Sequence, residues 1–115
     1  MDQNILTPGQ YQDLARKIVH SLETRHRIIP INTLRHPKYH LKTPIYITLE
    51  HEKDQVIASF DDIEAFSYAD TEFEAIDMLC QEIVDLYDDL RDDKENLGAL
   101  PKKWLQYLET IIECR

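Results

Sequence analysis

The side chains with the most chemical potential are a histidine group and a set of acidic pairs. Four of the five histidines, His20, His26, His36 and His40, lie within the first forty residues. The acids come as Asp61-Asp62, Asp88-Asp89 and Asp92-Asp93. His36-x-x-x-His40 has the spacing of two metal ligands on one helix face, which holds only if the segment is helical, and no third ligand occupies a motif position. Paired carboxylates perform acid–base work when burial or opposing environments separate their pKa values. These pairs fall in expected turns or at an exposed helix end, where both members stay ionised and solvated. The chain has no Ser/His/Asp order and no Gly-x-Ser-x-Gly, and its two glycines leave no backbone cradle for phosphate. Cys80 falls on an apolar stripe, where a thiol acts as a small hydrophobe, and Cys114 lies beside the chain end. Their spacing fits neither a disulfide framework nor a zinc site. The expectation is a non-enzymatic protein without metal or cofactor, whose function resides in its surface.

That surface is electrically polarised. The 115 residues carry a formal charge of −9. Residues 1–43 hold seven Lys/Arg against three Asp/Glu, whereas residues 44–99 hold three against seventeen. Such asymmetry speaks of partners rather than fold. The acidic stretch repels nucleic acid and attracts a basic protein. The basic third meets either nucleic acid or the acidic face of the same or a neighbouring chain, and no basic recognition helix after a tight turn is present to favour direct DNA binding. No apolar run approaches the roughly 18 residues that span a bilayer. The Met1-Asp2-Gln3-Asn4 start has no basic and apolar regions of a signal peptide, so a cytoplasmic protein is expected.

Hydrophobic periodicity supplies the scaffold. Thr71 with Glu74 is a capping box, in which the hydroxyl accepts the Glu74 N–H and the carboxylate reaches back to the Thr71 N–H. Beyond it Ile76, Leu79, Cys80, Ile83, Leu86, Tyr87 and Leu90 recur at helical spacing, opposite Glu74, Asp77, Gln81, Asp85, Asp88 and Asp92. Upstream, residues 44–52 and 55–60 alternate as an antiparallel hairpin about Glu52-Lys53-Asp54, and Ile63–Tyr68 gives a weaker third strand. Ile28-Ile29-Pro30-Ile31 is β-prone, but Pro30 demotes it to an edge or irregular strand. Thr7-Pro8-Gly9-Gln10 caps a helix over residues 7–24, with Tyr11, Leu14, Ala15, Ile18, Val19 and Leu22 on one face. After a breaker in which Gly98 suits a left-handed turn, Pro101 starts a last helix with Trp104, Leu105, Leu108, Ile111 and Ile112 on one side.

With Ile45-Tyr46-Ile47-Thr48-Leu49-Glu50, Val56-Ile57-Ala58-Ser59-Phe60, Asp70-Thr71-Glu72-Phe73-Glu74-Ala75 and Glu82-Ile83-Val84-Asp85-Leu86-Tyr87, the centre of the chain resembles the HicB antitoxin superfamily. The resemblance covers about residues 44–90. Ala69 replaces the family's glycine before Asp-Thr, Asp61-Asp62-Ile63 replaces a proline-containing turn, and the C-terminal DNA-binding module of many members is not recognisable. The resemblance implies a partial ribonuclease-H-like fold without nuclease activity. It implies a bacterial or archaeal antitoxin that oligomerises and sequesters a small basic HicA-like toxin, an mRNA interferase.

These readings combine into one α+β domain over residues 1–115, with a HicB-like core at 44–90 between an N-terminal part (1–43) and a C-terminal loop and helix (91–115). An antiparallel sheet of three to four strands in β-β-β-α order packs on one long amphipathic helix, with additional N- and C-terminal helices. The partner-binding candidates are Asp77, Asp85, Asp88, Asp89 and Asp92, with Trp104 and Tyr107 as aromatic anchors. The alternative is a stand-alone homo-oligomeric structural or regulatory protein with the same fold and no toxin partner. Residual hydrolase activity ranks last, because only Glu50 and Glu64 fall on expected strands.

Overall fold

The run that Pro30 demotes to an edge or irregular strand lies at an edge of the sheet. In the computed structural model, which describes residues 25–114, Arg25–Ile31 (β1) pairs antiparallel with Ile45–Glu52 (β3), matching Ile29 to Ile47 and Ile31 to Ile45. The other strands of this sheet are Gln55–Phe60 (β4) and Ala65–Ala69 (β5), and the order β1-β3-β4-β5 leaves β1 at one edge. Pro30 is tolerated because an edge strand needs hydrogen bonds on one side only. The architecture is α+β, with a four-stranded antiparallel sheet and two helices among the described residues. The helix expected over residues 7–24, and His20 with it, lies outside the described residues.

Alternation decides which face of the sheet is buried. Ile45, Ile47 and Leu49 of β3, Val56, Ala58 and Phe60 of β4, and Ala65 and Ser67 of β5 point to one side and are buried. Against them lies α1, Glu72–Asp92, which buries Ala75, Ile76, Leu79, Cys80, Ile83, Val84, Tyr87 and Leu90. Val84 joins the stripe and Leu86 is only partly buried, and α1 also packs against the second helix, α2 (Ala99–Ile111). Thr71 caps α1 by accepting the Glu74 N–H at 3.2 Å. The reciprocal half of the box differs from expectation, since the Glu74 carboxylate accepts a hydrogen bond from the Thr71 hydroxyl at 3.2 Å. Glu72 and Glu74 in the first turn also suit the positive end of the helix dipole.

Three local expectations are corrected. The third strand starts at Ala65, because Asp61–Ile63 forms a 3-10 turn that ends in left-handed Glu64 (φ 56°), so Glu64 is a turn residue rather than a strand carboxylate. Gly98 is extended (φ −68°, ψ −179°) and caps the N-terminus of α2. The expected helical pair Ile111-Ile112 is split: Ile112–Cys114 leaves the helix as β6 and pairs with β2, Tyr39–Leu41, matching Leu41 to Ile112. β-branched side chains suit a pleated strand, and the ladder is extended by the Lys42 N–H donating to the Ile111 carbonyl at 2.8 Å.

The α2 cap offers a direct stability test. Gly98 supplies no side-chain cap bond, its backbone is the conformation a capping serine adopts, and an added Cβ would meet nothing within 4 Å. Gly98→Ser is expected to raise the unfolding free energy by about 0.5–1 kcal/mol, from a new cap and a less flexible unfolded chain. Urea denaturation reads this as a higher midpoint at unchanged slope.

Candidate protein-binding surface

Among the described residues, one stripe of α1 is exposed along its length. Glu82, Asp85, Asp89 and Asp92 follow one another at spacings of three, four and three, and all are exposed. Residues so spaced are neighbours on a helix surface, and like charges there destabilise the helix by about 0.2–0.5 kcal/mol per pair. Among the described residues none of the four forms an ion pair; Asp85 accepts a hydrogen bond from the Gln81 amide at 2.8 Å. The stripe runs toward the C-terminal end of α1, where the helix dipole adds its negative pole to the carboxylates.

Arg91 is the one basic residue of α1, and it is directed elsewhere. Its guanidinium lies 5.0 Å from the Tyr87 ring centroid and donates to the Tyr39 hydroxyl at 3.4 Å and to Cys114 Sγ at 3.7 Å. The helix therefore spends its cation on holding the β2–β6 ribbon and leaves its outer acids uncompensated. Such a surface carries a concentrated negative potential.

The structure sorts the seven sequence candidates. Asp85, Asp89 and Asp92 stand on the stripe. Glu82, absent from the sequence candidates, completes it, and its spacing of three from Asp85 was the available signal. Asp77 sits 3.6 Å from Arg35, which also donates to the Phe73 carbonyl at 3.2 Å and lies 4.5 Å from the Phe73 ring centroid. Asp88 is turned inward and accepts a hydrogen bond from the buried Tyr39 hydroxyl. That bond, then burial, pushes the Tyr39 phenol up to about 12. Tyr107 donates its hydroxyl to Asp62 Oδ2 at 2.7 Å, and its ring centroid lies 6.1 Å from that of Phe60. Burial and the Asp62 bond push the Tyr107 phenol up to about 12. Trp104 is partly buried against the core. Asp77, Asp88 and Tyr107 thus carry contacts to other elements and Trp104 is half-buried, while Asp85, Asp89, Asp92 and Glu82 are exposed along one helix face.

The histidines take separate places. The segment from His36 to His40 is not a helix. His36 stacks on Tyr39 with centroids 5.0 Å apart, and its Nδ1 accepts the Lys38 N–H at 3.0 Å. His40 lies in β2, and His26 pairs with Glu50 at 3.0 Å. Among the described residues no three His, Cys, Asp or Glu side chains converge as metal ligands. No helix among them is long and apolar enough to cross a membrane.

One charge cluster is structural and titratable. Glu72, at the start of α1, accepts from Arg27 Nη2 of β1 at 2.7 Å and meets His51 Nε2 of β3 at 2.5 Å. The Arg27 and His51 bonds hold its carboxyl below the ordinary glutamate range. A carboxyl with a lowered folded-state pKa contributes stability above its unfolded value, near 4.3, and loses it as pH falls through the folded value. Glu72→Gln is therefore expected to lower the denaturation midpoint at pH 7, with the gap to the parent closing below about pH 4. A gap that persisted unchanged to pH 3 would assign the loss to packing instead.

Comparison with family models, with curated proteins and with solved structures gives no match for this chain.

Proposed function

We propose that the chain is a non-catalytic HicB-like antitoxin, or a related binding module, that neutralises a small basic RNA-binding protein in the cytoplasm by covering its cationic surface. The observation that carries this reading is the stripe Glu82, Asp85, Asp89 and Asp92, exposed and without ion-pair partners among the described residues, while Arg91 is turned to the opposite side of the same helix. Retaining mutually repulsive carboxylates works against helix stability, and a cationic partner relieves that repulsion on binding. The resemblance of residues 44–90 to the HicB superfamily supplies the partner class, a HicA-like mRNA interferase. The β-β-β-α order of β3, β4, β5 and α1 is compatible with that resemblance.

The test is capture from a lysate of the native host at low salt, with the tagged chain as bait. One small basic protein is expected, released by about 1 M salt, where the screening length falls to about 3 Å. Retention of the same protein at high salt, or by a chain with the four carboxylates reversed, would refute electrostatic occlusion by this stripe. Recovery of the chain alone would favour a stand-alone homo-oligomeric regulator.

A further inference from the structure

Of the two edges of the sheet, β5 is the one whose sequence carries no protection. At the other edge, β1 contains the charged Arg27 and Pro30, which has no N–H to offer a further strand. β5 reads Ala65-Phe66-Ser67-Tyr68-Ala69, without proline or charge. In an antiparallel ladder about half the residues of a strand turn both N–H and C=O away from the paired strand. Among the described residues, the backbone of Ala65–Ala69 makes no hydrogen bond except to β4.

Two different surfaces border this edge. On the open face of the sheet, turned away from α1, Phe66 is 61% and Tyr68 59% exposed. On the helix side, α1 packs chiefly on β5 and β4. One flank of α1 is taken by residues that lead from β1 toward β3. There the Cys80 thiol donates to the Thr33 carbonyl at 3.8 Å, Asp77 meets Arg35, and Asp88 accepts from Tyr39. Glu82 and Asp89 follow Cys80 by two and nine residues, which sets both about half a turn away around the helix axis. They stand on the flank over the free edge. A strand added to β5 meets exposed aromatic rings on one side and uncompensated carboxylates on the other.

On the reading that the partner is a basic protein, we infer that the free edge of β5 seats an extended segment of that partner, with alternate residues cationic and apolar. The segment's backbone continues the ladder as a fifth strand. Its cationic side chains point toward Glu82, Asp85 and Asp89, and its apolar ones lie beside Phe66 and Tyr68 as cross-strand neighbours. At the start of β5, Asp61 and Glu64 rim a shallow depression that is also lined by Ser59, Ala65 and Phe66, which carries the acidic border to the end of the strand. The same charges disfavour other occupants. A second copy paired edge to edge would set its own Glu82 and Asp89 against these, and a polyanion would be repelled along the whole border.

The probe is an acetylated and amidated octapeptide of alternating lysine and valine, added to the full chain at low salt. With the peptide bound, the outward amides of Ala65–Ala69 should exchange at least about 10-fold more slowly. Two further peptides carry N-methyl groups on the lysines only or on the valines only. Each removes the N–H groups along one edge of the extended peptide and keeps its charge. One should bind at least about 10-fold more weakly than the unmethylated peptide, and the other within about threefold of it. If both methylated peptides bind like the unmethylated one and the β5 amides exchange unchanged, the carboxylate stripe alone holds the peptide. The edge is then no seat, while occlusion of a basic partner by the stripe stands. Equal binding to a chain with Glu82, Asp85, Asp89 and Asp92 reversed to lysine would refute both readings, since each depends on that charge. Protection of the β5 amides that grows with protein concentration in the absence of peptide would give the edge to a second copy and overturn the inference. Absence of peptide binding at low salt would overturn it as well.

Discussion

Phe60→Ala should lower the unfolding free energy by about 3–5 kcal/mol, the cost of emptying a large aromatic site in a core that cannot fully collapse. Phe60 is 1% exposed and ranks first by volume among the fully buried side chains. It closes β4 at the point where the chain turns through Asp61–Ile63 into β5, and its ring faces Tyr107 of α2 at 6.1 Å. Its loss therefore empties the sheet–helix core and loosens the Tyr107–Asp62 tie that fastens α2 to the turn. The neighbouring Ser59 points to the open face, so Ser59→Ala is the control and should stay within about 0.5 kcal/mol of the parent. Guanidinium denaturation at matched slope distinguishes the two. A Phe60→Ala loss below about 1.5 kcal/mol would mean that the surrounding core closes over the cavity.

Reversing Glu82, Asp85, Asp89 and Asp92 to lysine should weaken capture of the basic partner by at least about 100-fold, near 2.7 kcal/mol. Each reversal changes the formal charge by two, so the set moves the chain from −9 to −1. The fold should survive, because all four side chains are exposed and none bonds to another element among the described residues. Lysines near the C-terminal end of a helix also favour its dipole, so the melting temperature should hold or rise. A second variant separates the stripe from bulk charge. Reversing Asp54 and Asp70, exposed acids in the β3–β4 turn and before α1, should leave capture within about threefold at moderate salt, where separated surface charges are screened. Equal losses in both variants would show that net charge, not the stripe, governs binding.

Local rules made much of this scaffold legible. Strict alternation in Ile45-Tyr46-Ile47-Thr48-Leu49 identified both a strand and its buried side, because a one-residue shift would expose every isoleucine. The Thr71–Glu74 spacing placed the start of α1, since four orphan N–H groups there demand a side-chain acceptor. Pairings between residues far apart in sequence were not legible. Nothing in Ile111-Ile112 announces that one residue ends a helix and the next pairs with Leu41, because the partner that offers the ladder is about seventy positions away. The acidic face was divided for the same reason. Asp88 and Asp89 are equivalent in sequence, yet the helix turn between them points one at the Tyr39 hydroxyl and the other at solvent.

By itself the sequence determined the β-β-β-α succession, the buried sides of β3 and β4, the cap of α1 and the acidic character of its outer face. Each is written in spacings of two, three or four residues, over which backbone geometry dictates direction. Only the tertiary structure decided which acids are free. It took Asp77 to Arg35, Asp88 to Tyr39 and Asp62 to Tyr107, and it turned Arg91 away from the stripe. A carboxylate's availability depends on which donor the folded chain brings within hydrogen-bonding distance, and that is a property of packing between elements rather than of any local pattern.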